Sequence, residues 1–293
     1  MDGDAVELPG WDWQMARHHL EMDRERLARV ADITGDVDVE NPNSARMYDY
    51  YLGGSANFAV DREAAEAGEA ALPHARDYAR ANRAFLGRAV AYLASKGIDQ
   101  FLDLGSGIPT VGNVHEIAHR HNPEARVAYV DHEPVAVAHA RLLLGDHPLV
   151  SISQADIRKP DAVFSASGVA GLLDFSQPVG ILAVAILPFV PDQDEAVALT
   201  AAYRQACVPG SHLAVSHISA LSATPEQVVA ADEVMARTPT PTRWRTPAEI
   251  ADLLAGYTLV PPGMVPSPQW KPMLQPDPNE VSRSNAYAAV GVL

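Results

Sequence analysis

Apolar and polar positions follow two different rhythms along this chain. Up to about Lys96 the rhythm is helical. Residues 11–31 have helix-forming composition with one weak apolar stripe, and DITGDVDVENPN then interrupts as a linker or turn. From Ser44, SARMYDYYLGGSANFAVDREAAEAGEAAL joins a tyrosine cluster and a glycine pair to an Ala/Glu helix. A second helix is predicted from Arg76 to Lys96, stopped by Gly97. At Gln100 the rhythm changes. The short apolar runs FLDLG, RVAYVD, LVSIS, VGILAVAIL and HLAVSHI alternate with helical stretches ending near His121, Gly145 and Cys207. Such alternation predicts a parallel sheet with helices on both faces. The run from Val179 to Leu187 stops at Pro188 and reads as one strand buried on both sides. Two last strands are expected near Tyr257–Val260 and Ala286–Leu293. The intervening Pro261, Pro262, Pro266, Pro268, Pro272, Pro276 and Pro278 are expected to exclude ladder and helix and leave a surface loop.

Composition narrows the picture. Of 293 residues 47% are hydrophobic, enough for a full-sized core. The single cysteine, Cys207, rules out an internal disulfide or a multi-thiolate zinc site. Lys and Arg number 22 against 37 Asp and Glu, a balance of −15 that disfavours nucleic acid and anionic lipid. Residues 1–40 hold 11 acidic and 4 basic residues, read as a solvated acidic lead-in. The start MDGDAVELPG lacks the features of a secretory signal, and the longest apolar run is too short to span a bilayer. The expectation is a soluble, cytoplasmic chain with no membrane partner and a small-molecule substrate.

Chemistry concentrates in FLDLGSGIPT, residues 101–110. A buried strand runs to Asp103, and Gly105, Ser106 and Gly107 turn it into a helix, where backbone can approach a ligand closely. A dinucleotide fingerprint would need glycine at 110; this chain has Thr110, with Pro109 beside it, which counts against NAD. RVAYVD ends at Asp131, 24 residues after Gly107, where a carboxylate can accept from ribose hydroxyls. LVSISQADI ends near Asp156 and Ile157, where an acid and the next amide can meet an adenine edge. Three strand ends thus converge on one crevice. Each acid has a structural alternative as a helix cap.

The order and spacing of FLDLGSG, VAYVDHEP and ISQADI resemble the class I S-adenosylmethionine-dependent methyltransferases. More narrowly, NPNSARMYDYYLGGSANFAVDREA, ANRAFLGRAV and QFLDLGSGIPTVGNVHEIA are similar to an actinobacterial S-adenosyl methyltransferase family of generally unassigned substrate. The resemblance runs from about Asn41 to the C-terminus. It implies that Gly105, Ser106 and Gly107 line the methionine moiety with Asp103 behind them. It implies likewise that Asp131 holds the ribose and that Asp156 and Ile157 hold the adenine. His132 would pack on the nucleoside, and Ile186 and Leu187 would face the same crevice. LPFVPD, after the fourth strand, offers none of the polar catalytic residues some methyltransferases carry there. The expected architecture is a doubly wound, Rossmann-like α/β domain over 97–293, mostly parallel with its last strand antiparallel. A helical cap covers 1–96.

Two features remain. His115-Glu116-Ile117-Ala118-His119 matches H-E-x-x-H literally, but Val111, Val114 and Ala118 mark the apolar face of that helix with Ile117 at its margin. The two histidines are therefore placed toward solvent, and a zinc protease is rejected; no metal is expected. NSARMYDYYLGGSANF gathers aromatics, amides and a glycine pair. It is read either as a lid over the cofactor, with Tyr48, Tyr51, Asn57 and Arg83 near the reacting end, or as a static cap. Tyr48, Tyr50 and Tyr51 have a bland alternative as core aromatics, and Asn82 as a helix-capping amide. Candidates for a general base, if one is needed, are His115, His132 and the Tyr48–Tyr51 group. A cofactor-binding protein without turnover is the alternative function.

Overall fold

The computed structural model describes residues 38, 40–109 and 112–293. The expected helix over 11–31, most of the acidic lead-in, Thr110 and Val111 lie outside the described residues. The chain opens with α1 (Ser44–Tyr51), α2 (Ala59–Ala71) and α3 (Ala75–Ser95). The alternating part follows as β1 (Gln100–Leu104), α4 (Val114–His121), β2 (Arg126–Asp131), α5 (Pro134–Leu144), β3 (Val150–Gln154), α6 (Pro160–Ser165), α7 (Ser167–Ala170), β4 (Gly180–Val184), α8 (Gln193–Gln205) and β5 (His212–Ile218). The C-terminal part adds α9 (Pro225–Met235), α10 (Pro247–Asp252), β6 (Thr258–Leu259), β7 (Val265–Pro266), α11 (Pro278–Arg283) and β8 (Ala286–Val292).

The sheet order is β3-β2-β1-β4-β5-β8-β6, with β7 also paired to β8. The first five strands are parallel neighbours, and β8 runs antiparallel to β5. The chain moves outward from β1 through β2 to β3, then returns to place β4 on the other side of β1. This reversal opens a crevice at the carboxyl ends of β1 and β4. Side-chain alternation supplies two cores. Phe101, Val127, Leu182 and Val290 face α3 and α4, while Leu102, Val130, Ile181 and Val215 face the opposite layer. Trp270, fully buried, packs edge-on against Phe85 and Tyr92 of α3 at 5.4 and 5.7 Å. Arg88 of α3 donates to the Trp270 and Ser267 carbonyls at 2.8 and 2.7 Å.

Three expectations need correction. The strand at Val179–Leu187 is shorter, because Ala185 takes a left-handed conformation (φ 57°) that ends β4 and turns Ile186 toward β1. The proline-rich segment is not free of regular structure. Pro266 sits in the edge strand β7, where its missing N–H costs no ladder bond, and Pro278 opens α11 behind the capping Asp277. Helices α9 and α10 were not foreseen. Each is announced by Thr-Pro at its start, and Thr224–Gln227 and Thr246–Glu249 form reciprocal capping boxes.

The N-terminal helices are fastened by a buried ion pair. Arg46 Nε donates to Asp61 Oδ2 at 2.7 Å, with both side chains essentially inaccessible to solvent. Asp61 also accepts from the backbone amides of Asn43 and Phe58 at 2.9 and 2.8 Å, so one carboxylate joins α1 to α2. Asp61→Ala would leave the buried guanidinium with only the Glu133 carboxylate, 3.8 Å away, as counter-charge. We expect a loss of about 3–5 kcal/mol, measured as the shift in urea unfolding free energy against the parent chain.

Candidate active site

The first glycine turn is built by β1 and β2 together. The Gly105 and Ser106 amides donate to the Val130 carbonyl at 2.8 and 3.1 Å. Gly105 and Gly107 both have positive φ, 69° and 65°. A Cβ at Gly105 would stand 2.3 Å from Ile186 Cδ1, so glycine is required where β4 and β1 converge. At Gly107 the space beyond Cα is open. Asp131, buried at the end of β2, accepts from the Gly107 amide at Oδ2 (2.7 Å) and from the Glu133 amide at Oδ1 (2.9 Å). Each oxygen retains a second lone pair. Burial raises its pKa, opposed by those two amides. Asp103 lies behind the turn; burial lifts its pKa to about 7, opposed by Arg83 and assisted by the charge of Asp131. The Ser106 hydroxyl is buried with no hydrogen-bond partner. Its orphaned oxygen, the open space at Gly107 and the ribose-suited carboxylate of Asp131 fit a nucleoside joined to an amino acid.

These groups line one cavity of about 220 Å³. Of the residues singled out from sequence, Asp103, Gly105, Ser106, Gly107, Asp131, His132, Ile186, Tyr48, Tyr51 and Arg83 line it. His132 is exposed at its rim, with Nδ1 3.7 Å from Asp131 Oδ1. Four others are not brought to the cavity wall. Asp156 is paired with Arg158 at 2.8 Å, which holds its carboxyl below the usual range. Ile157 and Leu187 are buried in the core between the sheet and α8. Asn57 is consumed within the N-terminal block, donating to Asp49 Oδ2 at 2.8 Å and to the Gly54 carbonyl at 3.0 Å.

The roof comes from α1, α2 and α3, through Asn43, Met47, Tyr48, Tyr51, Leu72 and Tyr78. Asn43 caps α1 and donates to Glu133 Oε2 at 2.7 Å, while Arg46 lies 3.8 Å from Glu133 Oε1. A second set of bonds joins roof to floor. Tyr48 donates to the Ala79 carbonyl (3.0 Å) and accepts from Asn82 Nδ2 (2.9 Å). Ser216 of β5 donates to Asn82 Oδ1 and accepts from the Ala185 amide (3.0 Å). The left-handed Ala185 is thus held by Ser216, which Asn82 in turn holds. The far wall was missed from sequence. It is made by Phe189, Val234, Met235, Thr240, Thr242 and Trp244. The capping boxes of α9 and α10 are the signal that brackets most of it.

Below this wall, Arg245 is buried and bonded wholly to neutral acceptors. These are Gln193 Oε1 (2.6 Å), the Leu187, Val190 and Asp192 carbonyls (3.0, 2.6 and 3.2 Å) and His217 Nε2 (2.8 Å). His217 Nδ1 meets the Ile218 carbonyl at 2.8 Å, and burial holds its pKa down at about 3, so Nε2 accepts from Arg245. This cluster fixes the loop that carries Phe189.

The H-E-x-x-H match has structural employment. Glu116 accepts from the Asn113 amide and side chain as the capping box of α4. His119 Nε2 meets the Ala125 carbonyl at 2.9 Å, and His115 Nδ1 meets the Tyr129 hydroxyl at 2.8 Å. The histidines are half-buried against β2 and His147 rather than turned to solvent, and Ile117 is buried rather than marginal.

A parallel sheet with a glycine turn after β1 and a carboxylate at the end of β2 is the arrangement of a nucleoside-binding α/β enzyme. A family profile described as S-adenosyl methyltransferase matches residues 31–293. The chain belongs to that family and is an S-adenosylmethionine-dependent methyltransferase. A crystal structure of a candidate methyltransferase from Thermobifida fusca is similar at 36% identity and TM-score 0.82, covering 87% of this chain and 96% of that one. A DUF574 family protein from Streptomyces avermitilis is similar at 36% identity and TM-score 0.81, covering 88% of this chain and 99% of that one. Among curated proteins no match is found. Among the described residues no helix is long and apolar enough to cross a membrane.

The raised pKa of Asp103 has a stability consequence. A carboxyl whose folded pKa lies above its unfolded value of 3.8 binds its proton more tightly when folded. Its contribution is fully present at low pH and is lost as pH rises toward and through about 7. Asp103→Asn removes that dependence. Between about pH 4 and 7 the ligand-free variant should lose less stability than the parent in denaturant titrations. Parallel pH profiles would contradict the assignment.

Proposed function

We propose that the enzyme binds S-adenosylmethionine along β1 and β2 and passes its methyl group to a small molecule held beneath the N-terminal roof. The observation that carries this reading is the Asp131 carboxylate bonded to the Gly107 amide beside the unsatisfied Ser106 hydroxyl. Asp131 accepts from the ribose hydroxyls, Gly105–Gly107 pass under the methionine chain, and Asp103 stands where the amino group would lie. Asp156 and the Ile157 amide, beyond the cavity wall at the end of β3, are assigned to the adenine edge, and His132 to the rim above the nucleoside. The activated methyl resides on the bound sulfonium. The protein's part is to align, desolvate and exclude water. Ala185 and Ile186 press on the turn from β4, and the roof is clamped to the ribose side through Asn43, Arg46 and Glu133. The described part of the N-terminal block, residues 40–96, is accordingly assigned to roof the domain of residues 97–293 rather than to form a remote cap. The acidic charge and the intracellular origin of the cofactor favour a cytoplasmic enzyme without a nucleic-acid substrate.

Isothermal titration with adenosylhomocysteine should show saturable one-site binding. Asp131→Ala should weaken it by about 2–4 kcal/mol through lost charge-assisted hydrogen bonds. Binding of NAD in place of adenosylhomocysteine would refute the reading.

The same titration carries a pH signature. In the free protein Asp103 takes up a proton below about 7. An ammonium group beside it favours the ionised form, so binding expels that proton. Affinity should therefore rise with pH up to about 7 and level off above it, and this rise should be missing in Asp103→Asn. An identical pH dependence in both proteins would place the amino group elsewhere.

A further inference from the structure

The two ends of the cavity differ in chemistry. Its acidic and basic lining residues, Arg83, Asp103, Asp131, His132 and Glu133, all lie at the end of β1, at or just after the end of β2, or on the stretch of α3 facing Asp103. Past Ile186 the described lining carries no charge. Tyr51, Phe189, Val234, Met235, Thr242 and Trp244 form a neutral, largely apolar lobe that includes three aromatic rings. The one carboxylate bonded to this wall, Asp232, accepts from Trp244 Nε1 at 3.1 Å and is not among the lining residues.

Past Ile186, the described lining residues include no carboxylate or imidazole to take up a proton. Tyr48 and Tyr51 donate their hydroxyls to the backbone carbonyls of Ala79 and Ala65, at 3.0 Å each. Burial pushes the phenols of Tyr48, Tyr51 and Tyr78 upward, so all three stay protonated at neutral pH. A carboxylate or phosphate on the acceptor would be desolvated here with no cationic side chain to meet it. An alcohol or un-ionised phenol would need a base that the lobe lacks.

Resting on the methyltransferase reading above, we propose that the acceptor is a small, apolar amine that reacts as the neutral base at nitrogen. The nitrogen lone pair forms the new N–C bond while the C–S bond breaks and its electron pair stays on sulfur, leaving a thioether. One positive charge moves from sulfur to nitrogen, so the lobe gains no net charge. A tertiary or ring nitrogen keeps that charge; a secondary amine releases its proton to water after leaving. Three of the lining residues, Tyr51, Phe189 and Trp244, are aromatic, the side-chain type that best tolerates a cation arriving at nitrogen.

The test uses the full chain and two readouts. Isothermal titration of the adenosylhomocysteine complex with quinoline, N-methylaniline, phenol, phenylpropionate and phenyl phosphate reads the lobe alone. Methyl-labelled adenosylmethionine with the same panel reads transfer. Quinoline and N-methylaniline should bind saturably and take up label, at a rate that follows their own ionisation and is flat above it. Phenylpropionate and phenyl phosphate should neither bind nor react, and phenol should take up no label. Trp244→Ala and Phe189→Leu should each raise the amine KM about tenfold while leaving adenosylhomocysteine affinity within about twofold. Retention of that affinity also shows that the variants are folded. If adenosylhomocysteine binds but neither amine binds or is methylated, or if phenol or an anion is the substrate instead, the inference fails while the cofactor assignment stands. If adenosylhomocysteine does not bind, the cofactor assignment itself fails.

Discussion

The carboxylate of Asp131 is the joint on which the site depends. It is buried at a strand end, where an isolated negative charge is costly, and two backbone amides make that position tolerable. One amide belongs to the glycine turn after β1 and the other to Glu133, the residue that receives Asn43 and Arg46 from the roof. Two neighbouring carboxylates therefore tie three segments together, Asp131 holding the glycine turn and Glu133 receiving the roof. The turn keeps its shape because Asp131 holds Gly107, and the roof finds its position because Asp131 orients the backbone at Glu133.

This arrangement separates two electrostatic environments within one cavity. At the strand ends, Asp103 and Asp131 lie close enough to raise each other's cost of ionisation, with Arg83 as the opposing charge. Past Ile186 the wall is neutral, and its polar groups are hydroxyls and an indole. Under the proposed methyl transfer, a charge displaced from sulfur toward that wall meets no carboxylate among the described lining residues. The roof's part is to align the reactants and exclude water.

Much of this was legible in the sequence, because it rests on local rules. A buried run ending in Asp followed by Gly-Ser-Gly needs few other residues to be recognised, and the spacing to Asp131 is that of one β-α-β unit. The strand alternation that placed β1 to β5 is likewise local. What escaped depends on contacts between distant segments. Asn82 looked like a helix-capping amide, yet it bonds Tyr48 on one side and Ser216, 134 positions further along the sequence, on the other. Asn57 looked like a site amide, yet the glycine loop beside it left Asp49 closer to hand. The apolar run at β4 gave no sign that Ala185 would turn left-handed, because that turn is held by Ser216 on the neighbouring strand.

The placement of the N-terminal block follows from the same kind of long-range contact. An open α/β crevice ends at its strand tips and cannot by itself surround an acceptor. Here α1 and α2 meet α9 over the crevice, and Gly68 is what lets them approach. A Cβ there would stand 2.4 Å from the Tyr51 hydroxyl, and Val234 of α9 lies 3.9 Å from the same point. Closure is therefore a matter of close helix packing, stiffened by the Arg46–Asp61 pair beneath it. The shape of the acceptor lobe follows from how those helices fit, while the chemistry of the donor end follows from the strands. Specificity and cofactor use can thus vary independently on this scaffold, the first through the roof and the far wall, the second through the tips of β1 and β2.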